Sequence, residues 1–192
     1  MFKESITTEE LTDLPLKWFQ GKIMVIDSNK SLRQAEKILS KQEVIGFDTE
    51  TKPSFKKGVN YKVALLQLST KHQAFLIRVN RIGLSKKICD ILSNPEIIKP
   101  GVAIRDDIKG LQEWKWFEPQ GFIELQDSAK ELGIQNFSLK KLTAIACGFR
   151  ISKGAQLSNW EAEELTEKQQ IYAATDAWTA LKIYENFSNQ TS

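Results

Sequence analysis

The chain has 192 residues, 41% of them hydrophobic and 27% charged, with a formal net charge of +3. That is one domain's length with room for a real core, and the composition is that of a soluble globular protein rather than a disordered or fibrous one. Without a run of 18 apolar residues or a signal-peptide core the chain is expected to be intracellular, in the cytoplasm and with no membrane partner, while the small net charge leaves only a local basic face for nucleic acid.

Residues 1–22 read as a short N-terminal extension packed on the domain, with one helical turn at Thr8-Glu9-Glu10-Leu11 that ends near Pro15. A first strand follows at 23–26. Ser31 and Gln34 have the spacing of a capping box, and Leu32, Ala35, Ile38 and Leu39 form an apolar stripe behind them, predicting an amphipathic helix to about Lys41. Val44-Ile45-Gly46-Phe47 is a buried-strand pattern that runs into Asp48-Thr49-Glu50. Residues 51–60 are a polar, lysine-rich loop. The nearly continuous apolar run at 63–68 predicts a strand buried on both faces. A short polar link then joins it to a strand at 74–79, as an antiparallel hairpin.

Leu84, Ile88, Ile91 and Leu92 predict a helix stopped at Asn94-Pro95. Residues 97–104 read as a strand in which Pro100 breaks the pairing. A helix opens near Arg105 and runs to about Trp116, and residues 122–125 make a short strand. Asp127 caps a short helix to Leu132, Ser138 starts one that Gly148 closes, and residues 149–160 form a loop. Thr166 and Gln169 make a second capping box for a long helix to about Phe187. The pattern is one α/β domain over residues 23–192, a mixed sheet with helices on its faces.

The chemistry-bearing residues are acids. Asp48 and Glu50 alternate along one strand and so share a face, where each raises the other's pKa. They are either two solvated acids at a strand end or ligands for a divalent cation that relieves their repulsion. Tyr172 and Asp176 sit at i, i+4 on the last helix, beside an apolar stripe. Asp107 shares its helix face with Leu111, an inward position, whereas Asp106 shares its face with Gly110, so Asp107 is expected to look toward the site. The single histidine, His72, falls in a turn. The two cysteines, Cys89 and Cys147, lie in apolar helical patterns and read as buried thiols.

Taken in order, these pieces resemble the DEDD family of 3′–5′ exonucleases in its tyrosine subgroup. The motifs are Phe47-Asp48-Thr49-Glu50, then Gly101-Val102-Ala103-Ile104-Arg105-Asp106-Asp107, then Tyr172-Ala173-Ala174-Thr175-Asp176-Ala177. Within the family the chain is most similar to Werner-type exonuclease domains and more distantly to ribonuclease D. The stretches Lys62 to Leu68, Ser138-Leu139 and Ser158-Asn159-Trp160 add to the likeness. A departure is Glu163-Glu164, where relatives often carry Arg-Pro. The resemblance implies a ribonuclease H-like fold, a central mixed sheet with one antiparallel strand and flanking helices. It also implies that Asp48, Glu50, Asp107 and Asp176 bind two divalent ions, Mg²⁺ or Mn²⁺, while Tyr172 orients the attacking water.

The reaction so implied is hydrolysis of phosphodiester bonds at a free 3′ end, releasing 5′-mononucleotides, with DNA favoured over RNA. Two other readings stand beside it: trimming of structured RNA in the manner of ribonuclease D, and a catalytically silent nucleic-acid-binding scaffold. The sequence points to no particular protein partner. Backbone groups near Thr49 are placed to meet the 3′-hydroxyl, and Phe55, Tyr61 or Trp160 to stack on a base. Lys52, Lys56, Lys57 and Lys62 are placed to line a strand-binding groove, as are Lys140, Lys141, Arg150 and Lys153.

Overall fold

The computed structural model describes residues 2–56, 58–152 and 154–191. Six strands make the sheet: β1 (Lys22–Ile26), β2 (Gly46–Thr51), β3 (Val63–Ser69), β4 (Gln73–Ile77), β5 (Lys99–Gly101) and β6 (Phe122–Glu124). The first four pair in the order β1-β4-β3-β2, and β5 pairs with β6. A parallel bridge between Val44 and Ile98 joins the two parts beside β2. Only β3 runs against its neighbours. This is the central mixed sheet with one antiparallel strand that the family resemblance implied.

The helices are α1 (Thr8–Asp13), α2 (Asn29–Leu39), α3 (Val79–Ile82), α4 (Lys86–Leu92), α5 (Ile104–Gln112), α6 (Leu125–Glu131), α7 (Leu139–Cys147) and α8 (Glu167–Thr191). Several ends differ from the sequence reading. Ser28, not Ser31, caps α2, because its hydroxyl accepts the Ser31 N–H. Glu124 caps α6, which starts two residues before Asp127. The strand expected over 97–104 shrinks to Lys99–Gly101, since Ile104 already belongs to α5. The capping box at Thr166 and Gln169 and the left-handed close of α7 at Gly148 are both present. Among the described residues no helix is long and apolar enough to cross a membrane.

Every residue of β3 is buried, so the sheet carries a core on each face. On one side Phe47, Leu66, Phe75 and Ile77 pack with Leu32, Leu39, Ile88 and Leu92 from α2 and α4. On the other, Leu65 and Leu76 pack with Ala173 and Ala174 of α8. A third cluster joins Leu125, Leu142, Ile183 and Phe187. The extension is tied on by Ile6 N–H to Asn136 Oδ1 at 2.9 Å and by Arg150 Nε to the Leu14 carbonyl at 3.0 Å.

The approach of α8 to β2 positions the site. Ala173, Ala174, Ala177 and Ala180 form its buried stripe, and small side chains let a helix lie close. At Gly46 an added Cβ would stand 1.9 Å from the Ala177 carbonyl oxygen. Gly46→Ala therefore forces β2 and α8 apart. We expect it to cost roughly 3 kcal/mol, the upper range for overpacking, measured by urea unfolding. Unchanged stability would mean the contact is not tight.

Candidate active site

The site starts on β2. Asp48 lies opposite Gln67 and Glu50 opposite Leu65 in the antiparallel register. Strand alternation turns these acids toward α8, and the Thr49 side chain toward Asp107 of α5. Thr49 Oγ1 donates to Asp107 Oδ1 at 2.5 Å, and its N–H donates to Asp48 Oδ1 at 2.8 Å. Thr49 thus lines the cleft, but both of its donors are spent on holding acids rather than left free for a 3′-hydroxyl.

Asp107 arrives on the first turn of α5. Ala103, just before that helix, is left-handed at φ 60°, a costly conformation for a residue with a side chain. Glu124 holds it there by accepting the N–H groups of Ala103 and Ile104 at 2.8 and 2.9 Å. The turn leaves Asp106 with its side chain 95% exposed and paired to Lys109, while Asp107 is half-buried against Thr49. The face expected from the i, i+4 spacing is the one seen.

Tyr172 and Asp176 come from α8, and their side chains share a hydrogen bond. With Asp48, Thr49 and Glu50 they wall a cavity of about 270 Å³, closed over by Ser138 and Lys140 of the α7 start and by Ser152 and Gln156. Burial pushes all four carboxyls upward. Asp48 lies well above the carboxylate range, first from burial and then from the charges of Asp176 and Asp107. Glu50 rises to about 10 for the same two kinds of reason. Asp107 rises to about 6, burial outweighing the Thr49 hydrogen bond. Asp176 rises to about 7, burial outweighing the bond from Tyr172. The Tyr172 hydroxyl is driven far above its ordinary value by burial and then by Asp176 and Glu50, so it keeps its proton at neutral pH.

Hard carboxylate oxygens are the donors that Mg²⁺ and Mn²⁺ take, and no Lys or Arg pairs with any of the four acids among the described residues. In donor chemistry the residues fit a divalent cation. Among the described residues, however, no three Asp, Glu, His or Cys side chains are arranged to enclose a metal ion. Asp48, Glu50 and Asp176 line one cavity, with Asp107 joined to it through Thr49, and they do not close into a cage.

The other expected contacts divide. Trp160 is fully buried, 6.1 Å from the Tyr172 ring, and presents no face to a base. Phe55 is 85% exposed, and with Tyr61 and Lys56 it lines a separate groove. Lys52 pairs with Glu161 at 3.3 Å and sits 4.8 Å over Tyr61. Lys62 lies over Trp114. Arg150 donates its Nε–H to the Leu14 carbonyl. Lys140 reaches the acid cavity, whereas Lys141 does not line it. Lys57 and Lys153 lie outside the described residues.

The loop carrying Glu163-Glu164 is held through its backbone. Arg78 donates to the Ala162 and Glu163 carbonyls, and Arg81 to Glu163, so the acidic side chains are not what anchors it. Gln67 escaped the sequence reading. Its amide is buried without a partner opposite Asp48, and its only signal was a polar residue inside an apolar strand.

Residues 23–192 match the family described as 3′–5′ exonuclease. The chain is 33% identical over 162 residues to the mouse bifunctional 3′–5′ exonuclease/ATP-dependent helicase WRN, covering 79% of this chain and 11% of that protein. It is 29% identical over 164 residues to ribonuclease D of Haemophilus influenzae, covering 83% of this chain and 40% of that one. It thus spans well under half of either relative. In fold it is similar to the Nibbler EXO domain of Aedes aegypti, with TM-score 0.81 and 23% identity over 91% of this chain and 92% of that one.

Asp176 titrates near 3.8 in an unfolded chain but near 7 in the fold. Between those values the folded state holds more protons, so stability falls as pH rises through that window and stays low above it. Asp176→Asn removes this loss. In EDTA at pH 8 we expect the variant to melt at least about 3 °C above wild type, the worth of ~1 kcal/mol in a chain of this size, with the gap closing at pH 4. Equal melting at both pH values, by differential scanning fluorimetry, would refute the crowding.

Proposed function

The chain belongs to the 3′–5′ exonuclease family, and from that premise we propose that it is a metal-dependent exonuclease of the DEDD tyrosine type. It hydrolyses phosphodiester bonds at nucleic-acid 3′ ends and releases 5′-mononucleotides. The observation that carries this reading is the meeting of Asp48, Glu50, Asp107 and Asp176 near Tyr172, with all four pKa values raised by burial and those of Asp48 and Glu50 raised further by the neighbouring acids. We take residues 23–192 as the catalytic unit, with residues 1–22 packed on it. DNA is the favoured polymer of this proposal, as the family resemblance implies. The second reading, trimming of RNA, is supported by the likeness to ribonuclease D.

In this proposal Asp48, Glu50, Asp107 and Asp176 hold two divalent ions, Mg²⁺ or Mn²⁺. When bound, such ions stabilise the charge that develops on the attacking and leaving oxygens. The chain's own residues do the rest. Thr49 holds Asp107 and Asp48 in place through its hydroxyl and its N–H. Tyr172, protonated and bonded to Asp176, offers an oxygen that orients the attacking water and does not act as a base. Lys140, at the cavity wall, is placed to meet a phosphate oxygen. Exposed Phe55 and Tyr61 remain the base-stacking residues of this proposal, with Lys52 beside them.

With 5′-labelled, 3′-recessed DNA and a matched RNA, wild type should give a ladder that shortens from the 3′ end in Mn²⁺ and stops in EDTA. Asp48→Ala should fall below about one hundredth of the wild-type rate with its circular dichroism unchanged, the loss of several kcal/mol of transition-state stabilisation. Asp107→Asn should be crippled and Asp106→Asn near normal; the reverse would overturn the assignment of Asp107. Mn²⁺ should also raise the melting temperature, by ~2.7 kcal/mol of stabilisation at a hundredfold excess over Kd. No shift at millimolar metal, together with no ladder, would sink the enzyme reading.

A further inference from the structure

A second feature adjoins the acid cavity and is built partly by residues that precede the family match. Two hollows lie beside that cavity. The first, about 410 Å³, shares Ser152 and Tyr172 with the cavity and is lined also by Lys17, Trp18 and Lys168. The second, about 640 Å³, shares Lys17 and Trp18 with the first and adds Lys71 and His72. Cavity and hollows thus lie side by side in a row leading away from Tyr172, with Trp18 lining both of the last two. The groove beside Phe55 shares no lining residue with the cavity.

Trp18 rests on a rigid base. The Lys17 N–H donates to the Arg150 carbonyl at 2.9 Å, and the Phe19 N–H donates to Thr175 Oγ1 at 3.0 Å. Phe19 is buried against Trp178, so its neighbour Trp18 turns outward and is 47% exposed. A half-exposed tryptophan alone is ordinary. Here it stands among exposed Lys17, Lys71 and Lys168, and no acid lines either hollow among the described residues. Lys71 and Lys168 make no ion pair among the described residues, and Lys17 lies over the Phe149 ring.

We infer that this row of hollows binds the single nucleic-acid strand upstream of the scissile end, with Trp18 stacking on a base and Lys17 and Lys168 meeting phosphates. The inference rests on the exonuclease reading for the strand's polarity, whereas charge complementarity and adjacency to the cavity give the occupant. Stacked aromatics and lysines are what a sequence-tolerant single-strand track requires.

The test separates the track from the chemistry. Binding is read by fluorescence anisotropy in Mn²⁺, with a 5′-labelled 12-nucleotide strand whose 3′-terminal linkage is an uncleavable methylphosphonate, in DNA and RNA forms. Trp18→Ala should bind about tenfold more weakly, and Trp18→Phe, which keeps a stacking face, should lose much less. Lys17→Ala with Lys168→Ala should lower the slope of log affinity against log salt by about 1.4, at roughly 0.7 per phosphate contact. Hydrolysis of the p-nitrophenyl ester of thymidine 5′-phosphate, which fills only the terminal subsite, should be unchanged in all of them. Equal binding by wild type and Trp18→Ala, or no binding by wild type, overturns the track. Trp18-dependent binding without any cleavage would leave the track standing and bring down the exonuclease reading. Cleavage indifferent to Trp18 would do the opposite.

Discussion

The site depends on how closely α8 lies against β2. At Gly46 the strand and the Ala177 carbonyl meet with no space for a Cβ, and the alanines of the helix leave nothing in between. This contact carries Asp176 to Asp48 and Glu50. A larger residue at either surface would set the helix off the sheet, and the acids would stand in water as separate groups. Close packing is thus what turns four scattered carboxyls into one electrostatic unit.

That unit is costly to hold together. Burial acts against ionisation in all four acids, and like charge adds to it for Asp48, Glu50 and Asp107. The fold offsets the cost with local restraints rather than with buried cations. Thr49 holds Asp107 and Asp48, Tyr172 holds Asp176, and Glu124 pins the left-handed turn that starts α5. The bonds from Thr49 to Asp107 and from Glu124 to the start of α5 join segments distant in the chain, so Asp107 is positioned by the assembled sheet and not by its own segment. Because burial opposes their ionisation, a divalent cation is the partner that would let these acids ionise together.

Around this cleft the basic residues are unevenly used. Several that look free in the sequence are engaged in building the molecule, such as Arg150 on the Leu14 carbonyl and Arg78 on the 162–163 backbone. The exposed cations nearest the cavity come partly from the N-terminal extension, which is bonded to α8 and to residue 150. A segment that looks like a preface in the sequence therefore forms part of the cleft's outer wall.

Local pattern was enough to read much of this protein. Continuous apolarity marked β3, alternation put Asp48 and Glu50 on one face, the Ser138 and Thr166 caps opened α7 and α8, and i, i+4 spacing chose Asp107 over Asp106. Three motifs in order carried the family. These are decided within a few residues, by helix and strand periods and by orphan N–H groups at helix starts. Tertiary structure decided what needs a distant partner: that Trp160 is core, that Arg150 is a tether, that both donors of Thr49 are occupied, and that Trp18 borders Tyr172. Burial and hydrogen-bond partnership are relations between segments brought together by packing, and a residue's near neighbours in the chain do not contain them.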